Sequence, residues 1–330
     1  MKPKKPTYII EYENKEVTKF IAPYVVSLSY TDHKHGKSDE IQLEIRDDDG
    51  QWKSNWYPQK GDVVRLKIGY EGEQLLDCGI FEIDEPDFSD STDEVLQLKG
   101  VSASVKKPVR QANTKSYEGR TLKQIAQEIA DKHEYTLVFN SEKDLKIEQV
   151  TQKQERDLAF LQRLAEKYGY AFKITDKKLV FYQIEKLEEV ETIYVMGKKQ
   201  LLGYNLKDKS LEVYRACEVK YFDARTKELI AHTETAPNVA KGDTLKLNTR
   251  CENKEQAIAV AKAALAFSTK DIEGTIDIEG NPIISAGANI EITELGKLNG
   301  KYSVEVAKHS IADDYTTSLS IKKRGVVANV

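Results

Sequence analysis

The stretch Asp32-His33-Lys34-His35 carries the residue types best suited to chemistry in this sequence. In a strand, a His-x-His pair puts both imidazoles on one face, as a metal would require. Zinc needs three or four ligands at matched spacing, and no second His or Cys cluster accompanies this one. The stretch is therefore read as an exposed polar loop before a strand, and no metal ligand is assigned. Asp47-Asp48-Asp49-Gly50 has the carboxylates of a calcium loop but neither the alternate spacing nor the terminal Glu, so it is read as a turn. Asp84, Glu85, Asp87, Asp90 and Asp93 form an acidic loop whose default state is solvation. His133 and His309 are read as structural. Carboxylates are numerous enough to supply an acid and base, but no pair is marked out by spacing. The sequence contains no G-x-S-x-G, no H-E-x-x-H and no phosphate-binding glycine loop. No catalytic residue, cofactor-binding residue or cofactor is assigned, and the expectation is a structural or binding protein, not an enzyme.

The bulk properties agree with that expectation. At 330 residues the chain is long enough for two or three domains with sizeable cores. Charged residues make up 32% of it with both signs interspersed, and the net charge of −4 gives no reason to expect nucleic acid or an anionic membrane as partner. The basic tip Lys2, Lys4, Lys5 reads as a solvated terminus. Cys78, Cys217 and Cys251 are odd in number and far apart, and read as free thiols of a reducing compartment. No secretory signal opens the chain, and nothing approaches the ~18 consecutive apolar residues of a membrane span. The protein is expected to be made and folded in the cytoplasm, without a membrane anchor.

The elements that would position these residues are mostly strands. Ile41, Leu43 and Ile45 alternate with polar residues, as do Val64, Leu66 and Ile68, and further strands are expected at Ile80 to Ile83 and Val95 to Leu98. The period then changes. Leu122, Ile125, Ala126, Ile129 and Ala130 form a helical stripe, and Thr121 with Gln124 fits a capping box. After a strand at Tyr135 to Phe139, Thr151 and Gln154 offer a second capping box. It precedes the stripe Leu158, Leu161, Leu164, Ala165, Tyr168, which Gly169 would end in a left-handed turn. Tyr170 to Thr175 and Leu179 to Ile184 read as a hairpin across Asp176. Leu211, Val213, Cys217, Val219 and Tyr221 share one face of a later strand. Asn253 is read as the N-cap of a helix rich in alanine, a composition equally consistent with close packing and with plain helix propensity.

The last stretch echoes the first. Gly61-Asp-Val-Val-Arg-Leu-Lys-Ile68 matches Gly287-Ala-Asn-Ile-Glu-Ile292, and Gly79-Ile-Phe-Glu-Ile83 matches Gly300-Lys-Tyr-Ser-Val304. Leu96-Gln-Leu-Lys99 then matches Leu319-Ser-Ile-Lys322. The expected fold is α+β and mainly β. Two related antiparallel β-barrel domains, residues 1–112 and 191–330, flank a small α+β insert at 113–190 with two helices and a hairpin; the alanine-rich helix falls in the second barrel domain.

Gly61 to Tyr70 with Gly79 to Asp84 resembles the opening domain of the bacteriophage late control protein D family. Thr121 to Ala130, Tyr135 to Val138, Thr151-Gln152, Glu155 to Ala165 and Tyr168 to Phe172 are similar to its middle segment. Gly300 to Val304, His309 and Tyr315 to Thr317 are similar to its closing barrel. Arg156 departs from the small polar residue expected there, which bears on how that helix is capped. The resemblance implies the hub of a contractile tail baseplate, in a phage or a phage-tail-like particle made in the bacterial cytoplasm. It implies a homotrimer that adapts the sixfold tail tube to a threefold central spike, with tube protein, spike and other baseplate proteins as partners. Relatives in type VI secretion continue into a β spike, whereas this chain stops at Val330, so the spike is expected to be a separate polypeptide. Candidate oligomer contacts are Val64, Leu66 and Ile68 and, on the alanine-rich helix, Ala259, Ala263 and Ala266. A tail-tip module for a receptor or glycan is the alternative, and a cell-wall hydrolase stands behind both.

Overall fold

Alternation of buried and half-buried residues sets the first strands. In a computed structural model the described residues are 4–323 apart from 91–93, 103–111, 142–143, 176, 210–213, 225, 237–238, 240 and 269–271. Lys2, Asp93, Asp176, Leu211, Val213 and Val330 lie outside them. The opening region contains β1 (Pro6–Tyr12), β2 (Lys15–Glu16), a short α1 (Thr18–Ile21), β3 (Val25–His33), β4 (Glu40–Arg46), β5 (Val63–Tyr70), β6 (Leu76–Asp90) and β7 (Glu94–Ser102). Ile41, Leu43 and Ile45 on β4, and Val64, Leu66 and Ile68 on β5, turn one face into a core with Leu28, Phe81 and Leu96. Burying a side chain of this size contributes about 1.5–3 kcal/mol, which pins each strand's face.

The middle segment runs β8 (Ala112–Thr121), α2 (Leu122–Lys132), β9 (Thr136–Asn140), β10 (Lys146–Arg156), α3 (Asp157–Tyr168), β11 (Tyr170–Thr175), β12 (Lys178–Gln183) and α4 (Ile184–Glu189). Thr121 and Gln124 form the expected capping box on α2, and Gly169 ends α3 at φ 78. The second capping box is absent. Thr151 and Gln154 lie in β10, which runs with a bulge along β8, and Arg156 sits at the N-cap of α3 with no side-chain bond.

The closing region starts with β13 (Tyr194–Met196) and β14 (Leu201–Asp208). The chain then leaves it for β15 (Ala216–Asp223), β16 (Glu228–Thr235), β17 (Thr244–Leu247) and α5 (Lys254–Ser268). It returns as β18 (Ile272–Glu279), β19 (Asn289–Ile292), β20 (Gly300–Ile311) and β21 (Tyr315–Lys323). Cys217, Val219, Ala257, Val260, Ala261 and Leu265 belong to one core with Leu122, Ile129, Phe160, Leu164 and Phe181 of the middle segment. β15, β16, β17 and α5 therefore pack against the core of the insert, although they were expected among the closing strands. A third core, around Ile276, Ile290, Tyr302, Val304 and Leu319, belongs to the closing strands.

The protein is mainly β. Its opening and closing strands lie in one 13-stranded sheet whose path runs β14-β18-β21-β20-β3-β4-β7-β6-β5-β1-β2, with β19 attached to β20 and β13 to β19. Two separate closed barrels are not what this sheet forms. β20 is longer than its partner β19, and its last residues, Val306 to Ile311, pair instead with His33 to Leu28 of β3.

Candidate functional site

The echo in sequence is a duplication in register. In the opening region β3, β4, β7, β6 and β5 are neighbours in that order; in the closing region β14, β18, β21, β20 and β19 are, and each strand occupies the same place in chain order. Val64 faces Phe81 as Ile290 faces Tyr302. Gly61 donates its amide to the Ile83 carbonyl at 2.8 Å while Ile83 donates to Asp62 at 2.8 Å; Gly287 donates to Val304 at 2.8 Å while Val304 donates to Ala288 at 2.9 Å. Both glycines take positive φ, 97 and 88°, where a side chain would be strained. A bulge falls between Ile83 and Glu85 in one copy and between Val304 and Val306 in the other. Another falls between Val25 and Ser27, and between Leu201 and Gly203. The third strand corrects the sequence match. Leu98 pairs with Leu43 as Leu319 pairs with Ile276, so Leu98, not Leu96, is the counterpart of Leu319.

The seam between the two copies is a cluster of charge. Asp32 and Lys34, expected in an exposed loop, are 4% and 5% exposed. The sequence offered no sign of what covers them. Asp32 accepts the Ala286 amide at 2.8 Å and bonds the Lys173 ammonium, which comes from β11 and also reaches Asp39 at 2.9 Å. Lys34 donates to Ser303 at 2.9 Å and to Glu305 at 3.0 Å. His35 lies 3.6 Å from Glu305. Burial, opposed by Lys173 and reinforced by Asp32, pushes Asp39 up to about 6. Behind the seam His309 is fully buried and stacks on Tyr30. Its Nε2 is 3.1 Å from the Ile284 carbonyl and its Nδ1 2.8 Å from the Tyr315 hydroxyl, which assigns the proton to Nε2. Burial drives its pKa down to about 4, against the bond to Ile284. These groups lock three chain segments together. Among the described residues no three His, Cys, Asp or Glu are grouped to hold a metal.

The middle segment has its own polar anchor. Asp157, buried at the start of α3, accepts from Gln152 at 2.7 Å, Lys132 at 2.8 Å and Asn113 at 3.1 Å, with His133 at 2.7 Å. Burial opposes its charge, but these bonds outweigh it and lower the carboxyl to about 2. Structural ion-pair networks lower a carboxyl in the same way. The three thiols are pushed up by burial, the opposite of activation.

Concave surfaces among the described residues include a cavity and a groove. A cavity of about 470 Å³ in the opening copy is lined by Ile10, Trp52, Trp56, Tyr57, Leu98 and Phe20, of which Phe20, Trp56 and Tyr57 are exposed. A groove of about 460 Å³ runs between α5 and the turn after α3. The candidate contacts divide between these places. Val64, Leu66 and Ile68 are spent in the chain's own core and leave no side-chain surface for a partner. Ala259, Ala263 and Ala266 line the groove. A Cβ placed on Gly169 would meet the Ala263 Cβ at 3.2 Å, so at this point the alanines do serve close packing.

Comparison with known proteins follows the same division. The family model described as "Phage tail baseplate hub (GPD)" matches residues 107–195. A "Probable baseplate hub protein" of Escherichia phage 186 is 27% identical over 177 residues, 53% of this chain and 44% of the relative, so the match spans less than half of that relative. By fold the chain is similar to a 43 kDa tail protein of prophage MuSo2 from Shewanella oneidensis, with TM-score 0.73, 14% identity and 96% and 98% of the two chains covered. It is also similar to the E. coli c3393 protein, described as a component of the type VI secretion system, with TM-score 0.57, 14% identity and coverage of 92% and 76%. The middle segment is thus similar by sequence to the phage tail baseplate hub (GPD) family, and nearly the whole chain shares the fold of the prophage tail protein.

Proposed function

We propose that the protein is the baseplate hub of a contractile phage tail or phage-tail-like particle. In this reading it is a homotrimer that joins the sixfold tail tube to the threefold central spike. One observation carries the reading: the same five strands occur twice, register for register, in a chain whose middle segment matches the hub family. Three chains then present six equivalent β units in a ring, the match a sixfold tube needs. The two copies differ in their attachments. The connection from β4 to β5, residues 47–62, carries Trp52 and Trp56, whereas its counterpart 280–288 is short and bears no aromatic residue. A ring built this way is sixfold in its strands and threefold in its appendages, which suits an adaptor. Its units are the two barrel-like β regions, up to residue 112 and from residue 191, and the middle segment from 113 to 190 extended by β15, β16, β17 and α5. The role is non-enzymatic. Its partners are the tube protein, the spike and other baseplate proteins, and it passes from the bacterial cytoplasm into the assembled tail.

Light scattering tests this directly. The expected mass is three times the 37.5 kDa chain, with binding to purified tube and spike proteins. A monomer at micromolar concentration that assembles with neither overturns it. A second reading, a tail-tip module for a receptor or glycan, draws on exposed Phe20, Trp56 and Tyr57 around the 470 Å³ cavity. Binding of peptidoglycan fragments abolished by Trp56→Ala would favour it.

A further inference from the structure

Two additions that set the opening copy apart from the closing one meet at a single place. α1 stands before β3, where the stretch before β14 has one turn, Lys198–Gln200, without an apolar residue. The 47–62 connection stands between β4 and β5, where the closing copy has the shorter 280–288. Phe20 from α1 and Trp52, Trp56 and Tyr57 from the connection wall the 470 Å³ cavity, with the buried Leu43 and Val64 of the strands behind them. We propose that this cavity is a binding site for a peptide segment of another protein, which inserts an uncharged, bulky apolar side chain and offers a main-chain carbonyl to Trp52. The site goes beyond the hub reading and does not rest on it.

The chain itself holds the walls in place. Trp56 lies edge-on to Trp52, with ring centres 5.6 Å apart, and to Tyr24 at 6.0 Å, while Tyr57 stacks on Phe88 at 5.6 Å. The Trp52 amide donates to Asp47 at 2.9 Å and the Gln59 amide to Asp62 at 2.8 Å, which pins the connection at both ends. Pre-organisation of this kind removes an ordering cost that weakens binding. Phe20, Trp56 and Tyr57 nevertheless stay 77%, 47% and 51% exposed, so the fold does not consume them. One polar atom is left over as well. Trp52 is 8% exposed, and its indole N–H has no acceptor among the described residues. A buried donor without an acceptor is costly, and a ligand carbonyl at this wall would remove that cost.

The same surface selects the class of ligand. No charged residue lines the cavity. In the connection Asp47, Asp48, Asp49 and Asp62 outnumber Lys53 and Lys60, and both lysines are paired, with Glu94 and Asp84. An anionic lipid headgroup finds no free cation in this connection, whereas a peptide with a basic flank is attracted. A glycan needs many hydroxyl partners, but the Tyr12 hydroxyl already donates to Asp62 and the Asn55 amide to Gln51. An apolar side chain needs neither, and the cavity's size falls within the ~300–1,000 Å³ of ligand clefts. Tryptophan and tyrosine around a desolvated pocket are where protein partners anchor most strongly.

The chain has two tryptophans and both line the cavity, so its tryptophan emission reports on this site alone. Titrating the whole chain with acetyl-Lys-Phe-Leu-amide is expected to move that emission to shorter wavelength and to saturate. Acetyl-Glu-Phe-Leu-amide should bind more weakly at low salt, and acetyl-Lys-Ser-Ser-amide should leave the emission unchanged. Phe20→Ser, at an exposed position, should weaken binding about tenfold. Trp52→Phe, which keeps a ring and removes the N–H while Trp56 still reports, should do the same. No shift with the first peptide, or undiminished binding to Phe20→Ser, overturns the site. Undiminished binding to Trp52→Phe overturns the carbonyl contact, and tighter binding of the glutamate peptide overturns the basic flank. Tighter binding of N-acetylglucosamine trimer, or of phosphatidylglycerol vesicles, overturns the peptide assignment. Trimer formation is read separately by light scattering, so each of these failures leaves the hub reading standing.

Discussion

The Nζ of Lys173, carried on β11 of the middle segment, sits 2.9 Å from the carboxylate of Asp39 in the opening region. Asp32 bonds the same ammonium from the end of β3. Lys173→Met should leave two buried carboxylates without their cation and destabilise the protein by about 3–5 kcal/mol, measured by denaturant unfolding at pH 8. Asp39 is already pushed up to about 6, so protonation relieves the repulsion and the deficit should shrink at pH 5.

His309 makes the fold sensitive to mild acid. Its folded pKa, about 4, lies below the ordinary 6.5, so the folded protein favours the neutral ring. Stability from this group is complete above pH 6.5 and is lost as pH falls from there to 4, by about 3 kcal/mol. His309→Gln should lower stability at pH 7 yet flatten the slope of unfolding free energy between pH 6.5 and 4. An unchanged slope would remove His309 as its source.

Thr121 accepts the Gln124 amide at 3.2 Å, and Gln124 accepts the Thr121 amide at 3.0 Å. Thr121→Ala should cost about 0.5–2 kcal/mol. Thr151→Ala, in a strand with no capping role, should lose clearly less by the same thermal measurement.

Gly169 is left-handed at φ 78 and would press a side chain on Ala263. Gly169→Ala should destabilise by about 1–2 kcal/mol. Ala263→Gly in the same chain should recover the steric part, and the remainder reports the backbone conformation alone.

Strand faces were legible because alternation decides which side is buried. Register was not. A slip of two residues leaves every side chain on its own face, and so Leu96 and Leu98 were equally good matches for Leu319. The α3 cap was misread for a related reason. Thr151 and Gln154 have the spacing of a capping box, but Thr151 pairs with Ser116 of β8 and Gln154 falls in the bulge of β10. The seam was the least legible part. Asp32 and Lys34 look solvent-loving, and they are buried by Lys173, Ser303 and Glu305 from distant segments. Nothing local announces that cover. The helix at α5 was visible from its alanines and Asn253, which accepts the Gln256 amide at 2.9 Å, but its membership in the middle core depends on β15 and β16.

The internal seam also sets a timetable. Lys34 and its partner Ser303 are 269 residues apart, and β3 has no neighbour on that edge until β20 emerges from the ribosome. The middle core is likewise open until α5 has been made. For most of its synthesis the nascent chain therefore displays a finished sheet with one bare side, the arrangement most apt to capture a neighbouring nascent chain. Self-association through that bare edge is a hazard of synthesis, and the last strands of the chain remove it by pairing with β3.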